Sequence, residues 1–330
     1  MHTSAVIKTK PEDFVVDEII DFPLSGDGEH LWCYVEKRGM NTAFLKREWS
    51  RLLDCPGKLI SHSGLKDRHA VTRQWLCLPA RDAVGLPDSG EGWQIIEHGL
   101  HQKKLRIGTH RRNNFTLYLR QVSGDKATID QRLAQIKAQG FANSFGEQRF
   151  GRNNLDRALR WVERSSLPKK RDERAQTLST LRAWLFNLEL EARRELGNAG
   201  SLVDGDYAML AGSNSHFIVK HIDEELLARC ASGDIAPAGI LVGKSKQQAS
   251  GRAQAIRKQA YAGHEAAVDY LQHHCDQDCR ALVVQPSDMS HEWLDNDELR
   301  LSFSLPRGSF ATALLADVFD ELHDDADTTS

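Results

Sequence analysis

The run ELRLSFSLP at residues 298–306 places Leu299, Leu301, Phe303 and Leu305 on one face and polar residues on the other. That alternation marks a strand with one buried and one wet side. It comes after a long helical stretch, so its sheet partners have to be sought at the other end of the chain. FVVDEII, HLWCYVEKR, TRQWLCL and NFTLYLR in the first third all have strand composition. Between the two groups, residues 155–165, 176–196, 223–232 and roughly 251–275 carry apolar residues at helical spacing. The pattern therefore predicts an α+β chain in which a helical segment is inserted between two parts of one sheet domain, the last strand completing the first sheet. Two sequential domains are the competing arrangement. Helices are also predicted over 42–54, with Thr42 as cap, over 126–139, stopped by Gly140, and after Ser309, with Phe310, Leu314, Leu315, Val318 and Leu322 facing inward.

A chain of 330 residues with 40% apolar content can bury a sizeable core. The opening MHTSAVIKTK lacks the apolar stretch of a signal peptide, and no apolar run reaches membrane-spanning length, so a cytoplasmic protein with no membrane segment is expected. Six scattered cysteines are no disulfide framework. His273-His274-Cys275-x-x-x-Cys279 offers four ligand-type residues, but no second pair with finger-like spacing accompanies them, and a bound metal is not expected. Net charge is −3, yet six acids and no Lys or Arg lie from Asp317 onward, so the rest of the chain leans positive. Residues 101–120 and 243–260 (with Lys244 and Lys246) each hold several Lys and Arg and no acid. Such stretches attract phosphates, and they also occur on solvated surfaces.

SGLKDRHAVTRQW, from Ser63, breaks an apolar lead-in at Gly64 and puts Lys66 and Asp67 side by side at a turn. An Asp at a turn commonly bonds its own backbone. A catalytic role needs an ionised carboxylate, and Lys66 or another cation brought in by the fold could hold that form.

Gly64-Leu65-Lys66-Asp67-Arg68-His69-Ala70-Val71-Thr72-Arg73-Gln74 resembles the signature of the tRNA pseudouridine synthase D (TruD) family. Lys8-x-x-Pro11-Glu12-Asp13-Phe14, Asn113-x-Phe115-x-Leu117, Phe145-Gly146-Glu147-Gln148-Arg149-Phe150-Gly151, Leu185-Phe186-Asn187, Asp204-Gly205-Asp206 and Leu305-Pro306-x-Gly308-Ser309-Phe310-Ala311-Thr312 resemble the family's other motifs, in order. One departure is Ala142-Asn143-Ser144, where the family usually has Pro-Asn-Tyr. The resemblance implies a pseudouridine synthase fold: a mixed, largely antiparallel sheet with flanking helices, carrying a family-specific α/β insertion. It implies a discontinuous catalytic domain at 1–139 and 288–330 and an inserted domain at 140–287. It further implies isomerisation of uridine at position 13 of tRNA, without a cofactor, by a monomer. The N1–C1′ bond breaks, the base turns within the site, and C5 joins C1′. Asp67 would be the catalytic carboxylate, either a nucleophile on sugar or base, or a base that removes a sugar proton.

The remaining matched residues would bind substrate: Lys8, Glu12, Lys66, Asn113, Phe115, Phe145, Gln148 and Arg149. Lys8 would pair with Asp67. Asn113 would bond the base edge or fix Asp67. Phe115 would stack on a base flipped out of the RNA; on an alternating strand it could equally be a core residue. A non-catalytic RNA-binding protein and a nucleoside hydrolase are the rival functional classes. Lys66-Asp67 together with Asn113-x-Phe115 favours the synthase.

Overall fold

The computed structural model describes residues 2–151, 153–245, 250–295 and 297–327, without the side chains of Glu147, Gln148 and Asp327. Lys246 and the Gln148 side chain therefore lie outside the described residues. The chain forms two compact units, Met1–Leu133 with Pro286–Gly308 and Val318–Ser330, and Ala134–Gln285 with Ser309–Asp317.

The first unit is built on an eleven-stranded sheet. Its main path runs Ser287–Leu294, Glu298–Pro306, Arg112–Ser123, Phe14–Ile19, Val71–Pro79, His30–Arg38, Trp93–His101, Ser89–Gly90. The late strand Glu298–Pro306 pairs antiparallel with Arg112–Ser123 along eight residues, from Leu299–Leu119 to Pro306–Arg112. Every described pairing in this sheet is antiparallel except Phe14–Ile19 with Val71–Pro79 and Ser4–Ile7 with Glu321–Asp324.

Side chains alternate along each strand, and directly paired residues share a face. One row across the sheet therefore reads Phe303, Phe115, Val16, Thr72, Lys37. In the next row Leu305, Asn113 and Glu18 pair in turn, and Gln74 pairs with Val35. All of these are buried. The opposite face carries Asp17, Arg73 and Glu36, where Arg73 donates to both carboxylates at 2.9 and 2.7 Å.

The helix Thr42–Leu52 lays Leu45 and Trp49 on Cys33, Val35, Leu76, Leu78 and Trp93, a fully apolar cluster. Its cap is Asn41, whose side chain accepts the Phe44 N–H at 2.8 Å, rather than Thr42. Thr42 is the first helical residue. Its hydroxyl donates to Gln74 Oε1 (2.8 Å) and accepts the Lys66 N–H (3.1 Å), which ties the helix start to the turn.

Two other sequence expectations change. The pattern over 251–275 is two helices, Gly251–Ala260 and Glu265–His274, because Gly263 takes φ +83° between them. The last helix is Ala311–Val318. Phe310 precedes it and is exposed, and Leu322 belongs to the strand Glu321–Asp324. The Asp320 and Glu321 N–H groups donate to Thr3 O (3.0 and 3.1 Å), so the chain leaves the helix to pair with its own N-terminal strand.

The second unit packs the long helix Arg171–Glu195 on a four-stranded antiparallel sheet made of Tyr207–Leu210, His216–Ile218, Ile235–Leu241 and Asp278–Ala281. Its buried charges are paired: Arg193 with Asp206 at 2.7 Å, Arg257 with Glu189 at 2.6 Å. At Gly205, with φ +82°, an added Cβ would lie 1.5 Å from Ser250 O, so the Asp204-Gly205-Asp206 motif is a backbone crossing that only glycine permits.

Candidate active site

Asp67 lies in the turn between the short strand Ser61–His62 and Val71–Pro79. Its side chain is 54% exposed and its Oδ2 is 3.9 Å from the Lys8 ammonium. Lys8 is itself buried, ends the strand Ser4–Ile7 with φ +57°, and holds Asp324 at 2.8 Å. A non-glycine residue in the left-handed region is uncommon, and here it turns an ammonium into a pocket shared by two carboxylates. Asp324 comes from the acidic tail, which the sequence alone shows only as a charge run.

Lys66 does not face Asp67. Its ammonium is 2.7 Å from Glu18 Oε2, with the two side chains 7% and 0% exposed. Glu18 fills the place where the strands Phe14–Ile19 and Val71–Pro79 part: its other oxygen accepts the Trp75 N–H at 3.2 Å. Burial raises the Glu18 carboxyl above its ordinary range, and Lys66 opposes that shift. The ammonium beside the Asp67 carboxylate is therefore that of Lys8, while Lys66 pairs with Glu18.

A further buried lysine escaped sequence reasoning. Lys37 Nζ donates to the backbone carbonyls of Asp67 (3.0 Å) and Met40 (2.5 Å), so it fixes the main chain at the Asp67 position. Burial pushes its ammonium down to about 8, against the pull of Asp67. The signal was available: in HLWCYVEKR, Lys37 follows Cys33 and Val35 on the inward parity.

Ser63 and His110 close the turn from its other side. The hydroxyl and Nδ1 are 2.6 Å apart, the His110 N–H donates to Ser63 Oγ (2.7 Å), and the Gly108 N–H donates to Ser63 O (2.7 Å). Burial first, then Lys66 and Arg307, lowers the His110 imidazole to about 4. A depressed folded-state value means the unfolded chain takes up a proton first, near 6.5, so stability present above that pH is lost as pH falls toward 4. Urea midpoints measured from pH 7 to 4 are expected to fall less steeply in His110→Gln than in the parent; parallel curves would remove His110 from the acid response.

Facing the turn side of the sheet, Phe115 is 8% exposed, stacked on Phe303 (centroids 5.2 Å, planes 21° apart) and edge-on to Phe14 at 6.2 Å. It is thus part of the sheet's aromatic layer. Asn113 Oδ1 and Thr72 Oγ1, on the same face, are buried polar atoms with no hydrogen-bond partner among the described residues. Such atoms are costly unless something satisfies them. Glu12 pairs instead with Arg38 at 2.5 Å.

The second unit brings its own motif residues together. Asn187 clamps Phe145 by its backbone, accepting the N–H at 2.9 Å and donating to the carbonyl at 2.8 Å. Arg280 lies over the Phe145 ring at 4.2 Å and Arg149 at 5.4 Å, with Phe310 6.3 Å from Phe145. Asn143 holds Arg280 through Oδ1 (2.6 Å) and its carbonyl (3.0 Å), which gives the retained Asn of the Ala142-Asn143-Ser144 departure a structural task. Of the His273–Cys279 cluster, His273 contacts Asp269 O, His274 the Tyr270 ring, and Cys275 two carbonyls. Among the described residues no group of three potential ligands is arranged to hold a metal ion.

The sequence profile of the family described as tRNA pseudouridine synthase D (TruD) matches residues 2–158 and 177–318. The chain belongs to the tRNA pseudouridine synthase D family. It is 38% identical over 323 residues to the tRNA pseudouridine synthase D of Pseudomonas entomophila (strain L48), covering 96% of this chain and 92% of that one. A crystal structure of a Methanosarcina mazei protein, described under the same family name, superposes with a TM-score of 0.70 at 20% identity, covering 96% of this chain and 94% of that one, a likeness of fold. As a tRNA pseudouridine synthase D, the protein is an isomerase that converts uridine to pseudouridine in tRNA, and position 13 is the family's site of action. Among the described residues no helix is long and apolar enough to cross a membrane.

Proposed function

We propose that Asp67 is the catalytic carboxylate of this uridine isomerisation, with Lys8 as the cation paired with it and Asn113 and Phe115 as the floor for the extruded base. The observation that carries this reading is the exposed Asp67 carboxylate beside a buried ammonium, on a turn whose backbone is fixed by Lys37. A base must leave its stack before its glycosidic bond can be reached. The unpartnered Asn113 Oδ1 supplies an acceptor for a uracil N–H. The reaction keeps the base in the product, which separates it from hydrolysis.

Lys66 supports the site by pairing with Glu18, and Glu12 by pairing with Arg38 at the outer edge. Phe145, Gln148 and Arg149 contact the tRNA from the second unit, the first and last beside Arg280. The domains follow the motif order: 1–139 and 288–330 catalytic, 140–287 inserted. In support, the compact units divide at 133/134 and 285/286, with 309–317 grouped in the second. The enzyme acts as a monomer in the cytoplasm and requires no cofactor; Lys8, Asp67, Asn113 and Phe115 all come from one unit of one chain, and every cysteine is a free thiol. Light scattering of the enzyme with and without tRNA tests the monomer.

Phe115 separates a stacking role from a core role. Phe115→Ala removes both and is expected to cost about 3–5 kcal/mol of stability, the usual range for a buried Phe. Phe115→Leu keeps most of the buried volume and removes the aromatic face. It is expected to fold with a modest loss and to slow pseudouridine formation by about one to two orders of magnitude, the scale of one lost base-stacking contact. Parent-like turnover by Phe115→Leu would make Phe115 a packing residue only.

A further inference from the structure

The basic stretch after His101 is not one uniform surface. Arg111 pairs with Asp21 and Arg120 with Asp13 and Glu298, so those two are spent on the fold. Lys103, Lys104 and Arg106 are exposed and make no ion pair among the described residues. They line an open groove of about 950 Å³ whose apolar lining includes Phe22 and Trp32. His30 and His101 also line it, and no acidic residue does.

The local sequence explains why these cations are held in place. Leu105 is buried with Trp32, Trp75 and Cys77, and Trp32 Nε1 donates to Lys103 O at 2.9 Å. A buried leucine between Lys104 and Arg106 pins the main chain and leaves both heads in solvent, so less ordering entropy is lost when an anion is gripped. Burial, and then Lys104, lower the Lys46 ammonium. The segment is also fastened to the Asp67 turn, because Gly108 and His110 bond Ser63, four residues before Asp67.

We propose that this groove grips the sugar–phosphate backbone of the tRNA whose nucleotide is presented to Asp67. The proposal rests on the reading of Asp67 as the reacting carboxylate. An acid-free set of cations on a chain of net charge −3 fits a polyanion, and an open groove fits a passing backbone better than an enclosed small molecule. The serine–histidine fastening makes the grip and the chemical turn one mechanical piece.

The test is the salt dependence of tRNA binding by the full-length Lys103→Gln/Lys104→Gln/Arg106→Gln protein. Each phosphate contact contributes roughly one unit to the slope of log K against log salt. The triple variant is expected to bind tRNA at least about tenfold more weakly at low salt, with a slope shallower by about 2, and to lose a protected backbone segment in hydroxyl-radical footprints. An unchanged slope and footprint would overturn the proposal. Should the triple variant melt early, Lys104→Ala and Arg106→Ala carry the same measurement singly, each expected to remove about one unit of slope. Asp67→Asn keeps these cations and is expected to show the parent slope. If Asp67→Asn instead made pseudouridine normally, the reading of Asp67 would fall while the slope result still decided whether the groove holds RNA.

Discussion

Purified Asp67→Asn protein is expected to bind tRNA like the parent and to form no measurable pseudouridine. The side chain is half exposed, and Lys8 keeps Asp324 at 2.8 Å when Asp67 is neutral. The fold therefore loses no buried partner, and the melting temperature is expected to move little. The chemistry loses the carboxylate proposed to react. An amide cannot serve as nucleophile or as base at this position, so the rate falls on the order of 10⁴-fold or more, the scale seen when an essential catalytic group is removed. Pseudouridine is isobaric with uridine, so the readout is chromatography of digested tRNA or chemical labelling. Comparable product from the variant would end the assignment of Asp67. A variant that fails to bind tRNA would give Asp67 a binding role instead.

A large expected effect on stability belongs to Glu18. Glu18→Gln leaves the Lys66 ammonium buried without its counter-charge, and breaking a buried pair from one side costs about 3–5 kcal/mol. The loss is expected as an earlier denaturant midpoint together with weak activity, because the same turn carries Asp67. Glu18→Gln/Lys66→Met removes both charges and is expected to regain most of the stability. The double variant also decides what Lys66 does. Recovery of tRNA affinity along with stability makes Lys66 an anchor of the turn. Recovered stability with tRNA affinity still lost would make it a direct substrate contact.

Local chemistry written in the chain determined the elements and their faces. NFTLYLR and ELRLSFSLP alternate so cleanly that their inward residues could be named from parity, and they proved to be neighbours along eight residues. The motif residues Asp67, Lys8, Asn113 and Phe115 were nameable from the family resemblance, which also implied a role for each. Even the buried lysine left a trace, since Lys37 and Glu18 break the apolar parity of otherwise inward-facing strand positions. Helix ends were less legible, because they depend on what competes for the backbone: Asn41 rather than Thr42 caps the first helix, once Thr42 is drawn to Gln74 and the Lys66 N–H.

Only the tertiary structure decided which charge meets which. Adjacent residues on a turn point different ways, so Lys66, next to Asp67 in the chain, turns under the sheet to Glu18, while Lys8 reaches Asp67 from another strand. The acidic tail read as a solvated charge run because nothing local marks Asp324 as a partner of Lys8. That pairing exists only because the strand Glu321–Asp324 registers in parallel with Ser4–Ile7, a contact spanning nearly the whole chain. Strand parity is a property of a few consecutive residues. Register between distant strands is set by the packing of the entire sheet, and the electrostatics of the site follow from register.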